Sequence, residues 1–327
     1  TVPVARAALQ AGATWLGVAL VEEGLALREA GIDAPTLVLT EFPPGSEEAA
    51  LRADLTPTIY SEDGLSRLAV ATDAAAGTPG VHVKVDTGMH RVGLPPDRAI
   101  ELVGRLDDAG LGLQGLWTHF AKSEEMGDDF TARQLGTFRR TVEELSLLGH
   151  RPRYLHAANS GAVLAHPESH LDLVRVGIAM YGVAPGLELP GVPALRPALS
   201  WKSAVSLVKR VGAGEGVSYG LRFRAERATT IATVPVGYAD GYPRSLTNRG
   251  PVLIGGRRLR VAGTVTMDQL MVDCEDDPVE VGDEVVLIGR QGAAEVRAEE
   301  LAELTGTIGY EIVCGVSERV PREYLWA

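Results

Sequence analysis

The chain has 327 residues, 45% of them apolar and 23% charged, and 31 basic against 43 acidic residues leave a formal charge of −12. This composition is typical of a globular protein with two domains or a barrel plus an appendage. The negative charge repels phosphate backbones and anionic lipid, so neither nucleic acid nor membrane is expected as a partner. Two cysteines, Cys274 and Cys314, are too few for a disulfide framework and indicate a reducing, cytoplasmic location.

Short apolar runs alternate with helical patterns up to Met180, which is typical of a parallel α/β sheet. Thr1 is expected to cap the first helix, Val2–Ala11. Other helical patterns lie between the strands, among them Val21–Ala30, Asp97–Ala109 and Phe130–Leu148. The predicted strands are Trp15–Ala19, Thr36–Thr40, Thr58–Ser61, Val81–Asp86, Leu113–Phe120, Tyr154–Asn159 and Leu173–Met180. A closed barrel needs eight strands, so we expect a (β/α)8 TIM-type barrel over residues 1–195 with one strand preceding Thr1.

The pattern changes after a Pro/Gly-rich stretch, Ala184–Pro197, which is the predicted linker. The strands predicted beyond it are Trp201–Val211, Ala228–Val236, Pro251–Ile254, Arg258–Val265 and Glu284–Ile288, with only Val296–Leu304 helical. Gly255-Gly256 is a plausible hairpin turn. Residues 196–327 are therefore expected to form a mostly antiparallel C-terminal β domain.

Charged residues are concentrated where the fourth predicted strand ends, in the octapeptide Lys84-Val85-Asp86-Thr87-Gly88-Met89-His90-Arg91. Active-site groups of barrels gather at such carboxyl ends of strands. A solvated loop with a chance ion pair remains the alternative for this segment taken alone. The next strand ends supply His119, then His156, Asn159 and Ser160. The last one carries Arg175, Gly177 and Ile178, and the final two strand–loop units of barrels commonly bind phosphate.

The β domain contributes tyrosines beside glycines in Val217-Ser218-Tyr219-Gly220, Gly237-Tyr238-Ala239-Asp240-Gly241 and Ile308-Gly309-Tyr310. Each of them alone could simply end a strand. No zinc spacing, P-loop or GxSxG motif is present, so no metal site, nucleotide triphosphatase or serine hydrolase is predicted.

Taken in order, the motifs KVDTGMxR, THFA, AANS, RxGIxxYG, VSYG, GYADG and MDQ resemble alanine racemase, a pyridoxal 5'-phosphate enzyme with a (β/α)8 barrel and a C-terminal β domain. The resemblance runs from Thr1 to about Pro321. It implies racemisation of L- and D-alanine by two bases. It also implies a cytoplasmic homodimer that makes D-alanine for peptidoglycan.

The resemblance assigns roles to individual residues of this sequence. Tyr219 is one base, contributed with Met267 by the partner subunit, and His119 hydrogen-bonds it. Arg175 faces the pyridine nitrogen of the cofactor and is supported by His156. Because a guanidinium cannot give up its proton, the ring stays a modest electron sink and side reactions such as transamination are restrained.

The remaining implied roles concern binding and access. Arg91 contacts the phenolic oxygen of the cofactor and the substrate carboxylate, and Lys84 is carbamylated to hold Arg91. The substrate-side contacts are Met267 and Asp268. The cofactor-binding residues are Ser160, Asn159, Gly177, Ile178 and Tyr310, and the access corridor contains Tyr238, Arg244, Ile308 and Glu124.

Four departures from the family pattern matter. His90 stands where glycine is frequent, Thr264 where many relatives carry an arginine, and Glu124 where an aspartate is usual. The Schiff-base lysine of the family lies in a segment ahead of the stretch matching Thr1–Arg6, so we expect that lysine, the second base, to precede Thr1. Racemisation of serine or another small amino acid, and a non-catalytic binder of the cofactor or of phosphate, remain the alternatives.

Overall fold

The computed structural model describes residues 1–186, 189 and 195–325. The described residues form two compact units, one comprising Thr1–Val176 and the other beginning at Gly177. Half of the predicted linker, Ala184–Pro197, lies outside the described residues. The predicted domain boundary between residues 195 and 196 stays a prediction.

The first unit alternates strands and helices as the periodicity predicts. Its helices are α1 (Val2–Gln10), α2 (Val21–Glu29), α3 (Glu47–Arg52), α4 (Glu62–Ala71), α5 (Pro96–Val103), α6 (Phe130–Leu147) and α7 (Ser160–Ala165). Its strands are β1 (Leu16–Val18), β2 (Thr36–Val38), β3 (Leu55–Thr56), β4 (Thr58–Ile59), β5 (Gly80–Lys84), β6 (Gly112–Trp117) and β7 (Tyr154–His156).

The strands of this unit form two parallel sheets. One has the order β1-β2-β3 and the other has the order β4-β5-β6-β7. Val81, Val83 and Val85 are completely buried, and they pack with apolar helix residues into one core. Since side chains alternate across a strand, His82 and Lys84 share the opposite face of β5. The register of the parallel strands brings Lys84, Trp117 and His156 side by side.

One strand predicted for this part of the chain is wrong. Only Leu173 of the expected strand Leu173–Met180 forms a bridge, to His156. Residues Ile178–Tyr181 form a 3-10 helix instead, and Ile178 packs into the core of the second unit. The apolar run is short because it crosses from one unit to the other, which periodicity alone does not reveal.

The second unit is built on antiparallel strands. They are β8 (Trp201–Ala204), β9 (Leu207–Val211), β10 (Gly216–Val217), β11 (Phe223–Arg224), β12 (Thr229–Val234), β13 (Pro251–Ile254), β14 (Arg257–Val261), β15 (Leu270–Glu275), β16 (Glu284–Gln291) and β17 (Ala294–Val296). The main sheet has the order β17-β16-β13-β14-β15-β12-β9, with β8 paired to β16. Two helices follow, α8 (Ala298–Thr305) and α9 (Gly309–Gly315).

Several details of this unit differ from the expectation, and strands β10, β11, β15 and β17 were not predicted. The predicted strand Trp201–Val211 is two strands, because β8 pairs with β16 whereas β9 pairs with β12. Helix α9 was not predicted, since its seven residues contain two glycines. The predicted turn at Gly255-Gly256 is confirmed, with both residues at positive φ between β13 and β14. No helix among the described residues is long and apolar enough to cross a membrane.

Candidate active site

In the first unit, the candidate residues lie where β5, β6 and β7 end. Lys84 is 3% exposed, and its Nζ lies 4.6 Å from the centre of the Trp117 ring. Burial lowers the pKa of Lys84 to about 8, helped by the positive charges of Arg91 and Arg175 and opposed by Asp86. About a tenth of this amine is therefore neutral, and nucleophilic, at neutral pH, far more than for a lysine of ordinary pKa.

The loop after Lys84 is organised by one carboxylate. Oδ1 of Asp86 accepts hydrogen bonds from the backbone N–H groups of Gly88, Met89 and His90 at 2.9, 3.0 and 3.1 Å. Burial raises the pKa of Asp86, but the hydrogen bonds from Gly88 and His90 outweigh it and leave the pKa below its ordinary value. Asp86 therefore stays ionised, and its turn presents Arg91 at the surface.

The conformation of His90 is the one expected of the glycine that is frequent at this position in the family. Its φ is +56°, in the left-handed region that glycine adopts without strain. The histidine offsets part of that strain, because Nδ1 of its ring lies 3.0 Å from Oδ2 of Asp86. The loop keeps the glycine-like conformation with a different residue.

Arg175 is held by several acceptors at once. Its Nη1 lies 2.8 Å from Nδ1 of His156. Its Nη2 donates to the carbonyl oxygens of Thr118 and Ala157 at 2.7 and 2.9 Å. The guanidinium also lies over the Trp117 ring, 4.6 Å from the ring centre. Burial lowers the pKa of Arg175 to about 9, so the group remains a fixed cation at neutral pH.

His119 lies two residues beyond β6, with hydrogen-bond donors facing both ring nitrogens. Nη2 of Arg175 lies 3.3 Å from its Nδ1, and Nδ2 of Asn159 lies 3.4 Å from its Nε2. Burial, together with the charges of Arg175, Arg91 and Lys84, lowers the pKa of His119 to about 3. A neutral imidazole carries one N–H, and among the described residues no acceptor faces it.

Two residues that the motifs did not single out hold this region together. Gln134 of α6 donates from Nε2 to the carbonyl oxygen of His119 at 3.1 Å, and its Oε1 accepts from the backbone of Ala121. His82 contacts His156 from below. Gln134 carries the only side-chain amide on the buried face of α6, a signal that could have pointed to it, but nothing local distinguishes His82 from an ordinary strand residue.

The candidate cofactor residues are divided between the units. Asn159 caps α7, since its Oδ1 accepts from the backbone N–H of Ala162 at 3.1 Å. Ser160 is the first residue of this helix and is buried. In the second unit Gly177 precedes the 3-10 helix at Ile178, and Tyr310 is in the first turn of α9.

In the second unit a cavity of about 460 Å³ brings several predicted residues together. Its lining residues are Tyr219, Tyr238, Arg244, Thr264, Val265, Thr266, Met267 and Asp268. Tyr219 is 76% exposed and Met267 is 52% exposed. Ile308 is exposed at the start of α9 and does not line this cavity. Glu124 belongs to the first unit, where its Oε2 accepts from Oγ of Ser123 at 3.2 Å.

The backbone around Tyr219 is strained and anchored. Ser218, Gly220 and Leu221 have φ of +64°, +72° and +48°. Oγ1 of Thr264 donates to the carbonyl oxygen of Tyr219, and Oγ of Ser218 donates to the carbonyl oxygen of Thr264, both at 2.7 Å. Such conformations persist only where surrounding contacts impose them.

The GYADG and MDQ motifs are hydrogen-bonded to each other. The backbone N–H groups of Tyr238 and Ala239 donate to the carbonyl oxygens of Thr266 and Met267, both at 3.0 Å. A Cβ at Gly237 would lie 2.2 Å from the Met267 carbonyl oxygen, so only glycine fits there. Asp268 is paired with Arg319 at 2.8 Å, a partner that its motif does not reveal.

Profiles of two protein domains match this chain, the alanine racemase N-terminal domain over residues 1–185 and the alanine racemase C-terminal domain over residues 198–324. The chain belongs to the alanine racemase family. Members of this family use pyridoxal 5'-phosphate, and the chain is an amino-acid racemase that interconverts L- and D-alanine.

Individual relatives agree with this membership. The alanine racemase of Symbiobacterium thermophilum is 50% identical over 327 residues, which cover 99% of this chain and 86% of the relative. The structure of the alanine racemase from D-cycloserine-producing Streptomyces lavendulae has a TM-score of 0.93 at 41% identity, covering 100% of this chain and 87% of that one. For the alanine racemase from Streptomyces coelicolor A3(2) the TM-score is 0.94 at 42% identity, with 99% and 88% covered. These likenesses confirm the predicted fold class, the (β/α)8 barrel followed by an antiparallel β domain.

The charges of the first unit fit the cofactor. Arg175 and Arg91 lie close enough together to lower the pKa of His119 jointly, and Asp86 is mostly satisfied by backbone N–H groups. A half-buried cationic group of this kind stabilises an anionic, phosphate-bearing ligand.

Proposed function

We propose that the racemase works as a homodimer in the cytoplasm, with Tyr219 of one subunit completing the site built around Arg175 of the other. The observation that supports this proposal is the N–H of His119, which has no acceptor among the described residues. That ring has donors at both nitrogens and needs an acceptor, and the oxygen of an exposed tyrosine supplies one. Tyr219 is exposed on its own chain but has a fixed backbone, as expected of a residue that reaches a neighbouring subunit.

Tyr219 then acts as the base that removes or returns the Cα proton on one face of alanine. Bound pyridoxal phosphate withdraws electron density from Cα and makes that proton acidic. A free tyrosine, with a pKa of about 10, is a weak base at neutral pH. The N–H of His119 holds the oxygen of Tyr219 in place.

Arg175 is proposed to face the pyridine nitrogen of the cofactor, with His156 behind it. A guanidinium that donates to His156, Thr118 and Ala157 is oriented by its own chain before any ligand binds. Because it remains charged, it offers the ring nitrogen a hydrogen bond rather than a proton. For the phosphate of the cofactor we propose Ser160, Asn159, Gly177, Ile178 and Tyr310.

Lys84 is proposed to be carbamylated. Its neutral amine attacks CO2, a C–N bond forms, and one proton is lost, which leaves an anionic carbamate. This anion would attract Arg91 and Arg175, whereas the ammonium repels both. Arg91, so placed, is proposed to bind the carboxylate of alanine and the phenolic oxygen of the cofactor.

The second-unit cavity is proposed to lie on the substrate side. Met267 and Asp268 would contact the substrate, and Tyr238, Arg244, Ile308 and Glu124 would line the access corridor. Alanine is favoured over serine, because the hydroxyl of Thr264 is already engaged by the Tyr219 carbonyl. Comparing kcat/KM for the two amino acids tests this preference, and a higher value for serine would contradict it.

Hybrid dimers test the composite site. Tyr219→Phe and Arg175→Ala holoenzymes are each expected to be nearly inactive. If the two residues meet across the dimer, a hybrid has one intact site, and an equimolar mixture regains about a quarter of wild-type activity. If they meet within one chain, both sites of every hybrid are defective and no activity returns. Mixing Tyr219→Phe with Tyr219→Ala is the control, and it must stay inactive under either arrangement.

A further inference from the structure

A chain of hydrogen bonds runs from Arg175 into the interior of the first unit. Nδ1 of His156 lies 2.8 Å from Nη1 of Arg175, and Nε2 of the same ring lies 2.8 Å from Nδ1 of His82. Both histidines are buried. His82 therefore contacts Arg175 through one intermediate and lies one layer below Lys84 on the same face of β5.

The direction of this chain follows from chemistry. A guanidinium only donates, so Nδ1 of His156 must accept. A neutral His156 then carries its proton on Nε2 and donates it to Nδ1 of His82. Burial keeps both rings neutral, lowering the pKa of His82 to about 4 and that of His156 well below its ordinary value. His82 in turn carries its proton on Nε2.

The far end of the chain lies beside Gln114. The side chain of Gln114 is near enough to raise the pKa of His82. At the distances of the structure, however, Nε2 of His82 and Oε1 of Gln114 are both buried without a hydrogen-bond partner among the described residues. This agrees with the deduced direction of the hydrogen bonds, in which Nε2 of His82 is a donor next to the acceptor Oε1 of Gln114.

The sequence leaves room for the His82 ring. A Cβ at residue 115, the partner of His82 in β6, would lie 2.4 Å from Nδ1 of His82, so Gly115 is required there. The strand register shifts by one residue between Val81 and His82. Trp15 and Tyr154 pack around the ring, with centroids 5.5 and 6.2 Å away.

We infer that His82 is a positioning residue for Arg175, because it fixes the His156 tautomer that Arg175 needs. The opposite tautomer would turn an N–H toward the guanidinium and repel it. The catalytic consequence rests on the proposed role of Arg175 at the cofactor, but the tautomer itself does not.

The first measurement uses the wild-type apo-enzyme. Long-range 1H–15N NMR of protein with labelled histidine distinguishes the two ring nitrogens in each of the seven histidines. We expect His156 to carry its proton on Nε2 and His82 to carry its proton on Nε2. A His156 protonated on Nδ1 overturns the inference, whatever the activity of Tyr219 variants shows about the proposed function.

Two variants of nearly equal size then separate positioning from packing. His82→Asn keeps an acceptor, Oδ1, at the place of Nδ1, whereas His82→Leu removes it. We expect the leucine variant to populate both His156 tautomers and to lose roughly 10-fold in kcat, the lower end of the effect of removing an outer-shell partner. It should also release more pyruvate from alanine per racemisation, because transamination is the side reaction that a well-placed Arg175 would restrain. The asparagine variant should retain the wild-type tautomer and rate.

The outcome against the inference is equally specific. A His82→Leu enzyme with the wild-type tautomer of His156 and wild-type pyruvate release would refute it. A leucine and an asparagine variant impaired to the same degree would show that His82 only packs. If neither variant folds, the wild-type protein still tests the inference, because a His82 protonated on Nδ1 could not accept from His156 and would overturn it.

Discussion

The two units hold their candidate site residues in different ways. In the first unit the side chains themselves are fixed, as Arg175 contacts His156, Thr118 and Ala157 and lies on the Trp117 ring. In the second unit the backbone of Tyr219 is fixed, while its side chain is exposed. The contacts of Arg175 fix a cation in place, whereas an exposed side chain is what the proposed role of Tyr219 at another subunit requires. The difference teaches that preorganisation can reside in a side chain or in the turn that carries it.

Removing the oxygen of Tyr219, the proposed base, should have the largest effect. Tyr219→Phe keeps the ring but loses the oxygen, so racemisation in both directions should fall by roughly 10²–10⁴-fold. The measurement is kcat from each enantiomer, with exchange of the Cα proton into D2O as a second readout. Full activity from either enantiomer would remove Tyr219 from the mechanism, and Tyr324→Phe, at an exposed terminal tyrosine, is the control.

Lys84 should make stability depend on pH. Its pKa in the folded protein, about 8, is below the ordinary 10.5, so the unfolded chain binds the proton more tightly. The resulting penalty, on the order of 3 kcal/mol at most, is full below pH 8 and disappears as the pH rises toward 10.5. Without CO2, the free energy of unfolding should therefore rise with pH more steeply for the wild type than for Lys84→Met.

Adding bicarbonate tests whether carbamylation of Lys84 removes this pH dependence. A carbamylated Lys84 no longer titrates as an ammonium, so adding bicarbonate should flatten the pH dependence of the wild type and leave Lys84→Met unchanged. Equal slopes for the two proteins without CO2 would show that Lys84 is not destabilised by its surroundings.

Thr264 tests whether the turn positions the base. Thr264→Val is nearly isosteric and removes the hydrogen bond to the Tyr219 carbonyl, which is worth about 1 kcal/mol. We expect kcat to fall by roughly 5-fold, with KM little changed, and Thr264→Ser to retain the wild-type rate. If valine is as active as serine at this position, the hydroxyl does not hold Tyr219.

His90 should have the smallest effect. Since its φ is +56°, His90→Ala keeps the strain of a Cβ and loses the contact with Asp86, so it should cost about 1 kcal/mol of stability. His90→Gly loses both the strain and the contact and should be close to neutral. Chemical denaturation measures both variants, and an alanine variant as stable as the glycine variant would contradict the strain argument.

Prediction from the sequence was accurate where the signal is local. The strand Pro251–Ile254 and the glycine turn after it were predicted correctly, because a short apolar run and the Gly-Gly pair that ends it depend only on neighbouring residues. Strand β15 was not predicted, since its acidic residue Asp273 and Cys274 interrupt the usual pattern. The strand predicted at Leu173–Met180 failed because its residues pack in two different units.

The sequence by itself determined the family, the order of the elements and the motifs at the strand ends, because these depend on residue type and spacing. Only the tertiary structure decided that His82 continues the Arg175 chain, that Thr264 anchors Tyr219, and that Asp268 pairs with Arg319. Each of these contacts joins residues far apart in the chain, and their geometry depends on strand register and packing, which local patterns do not contain.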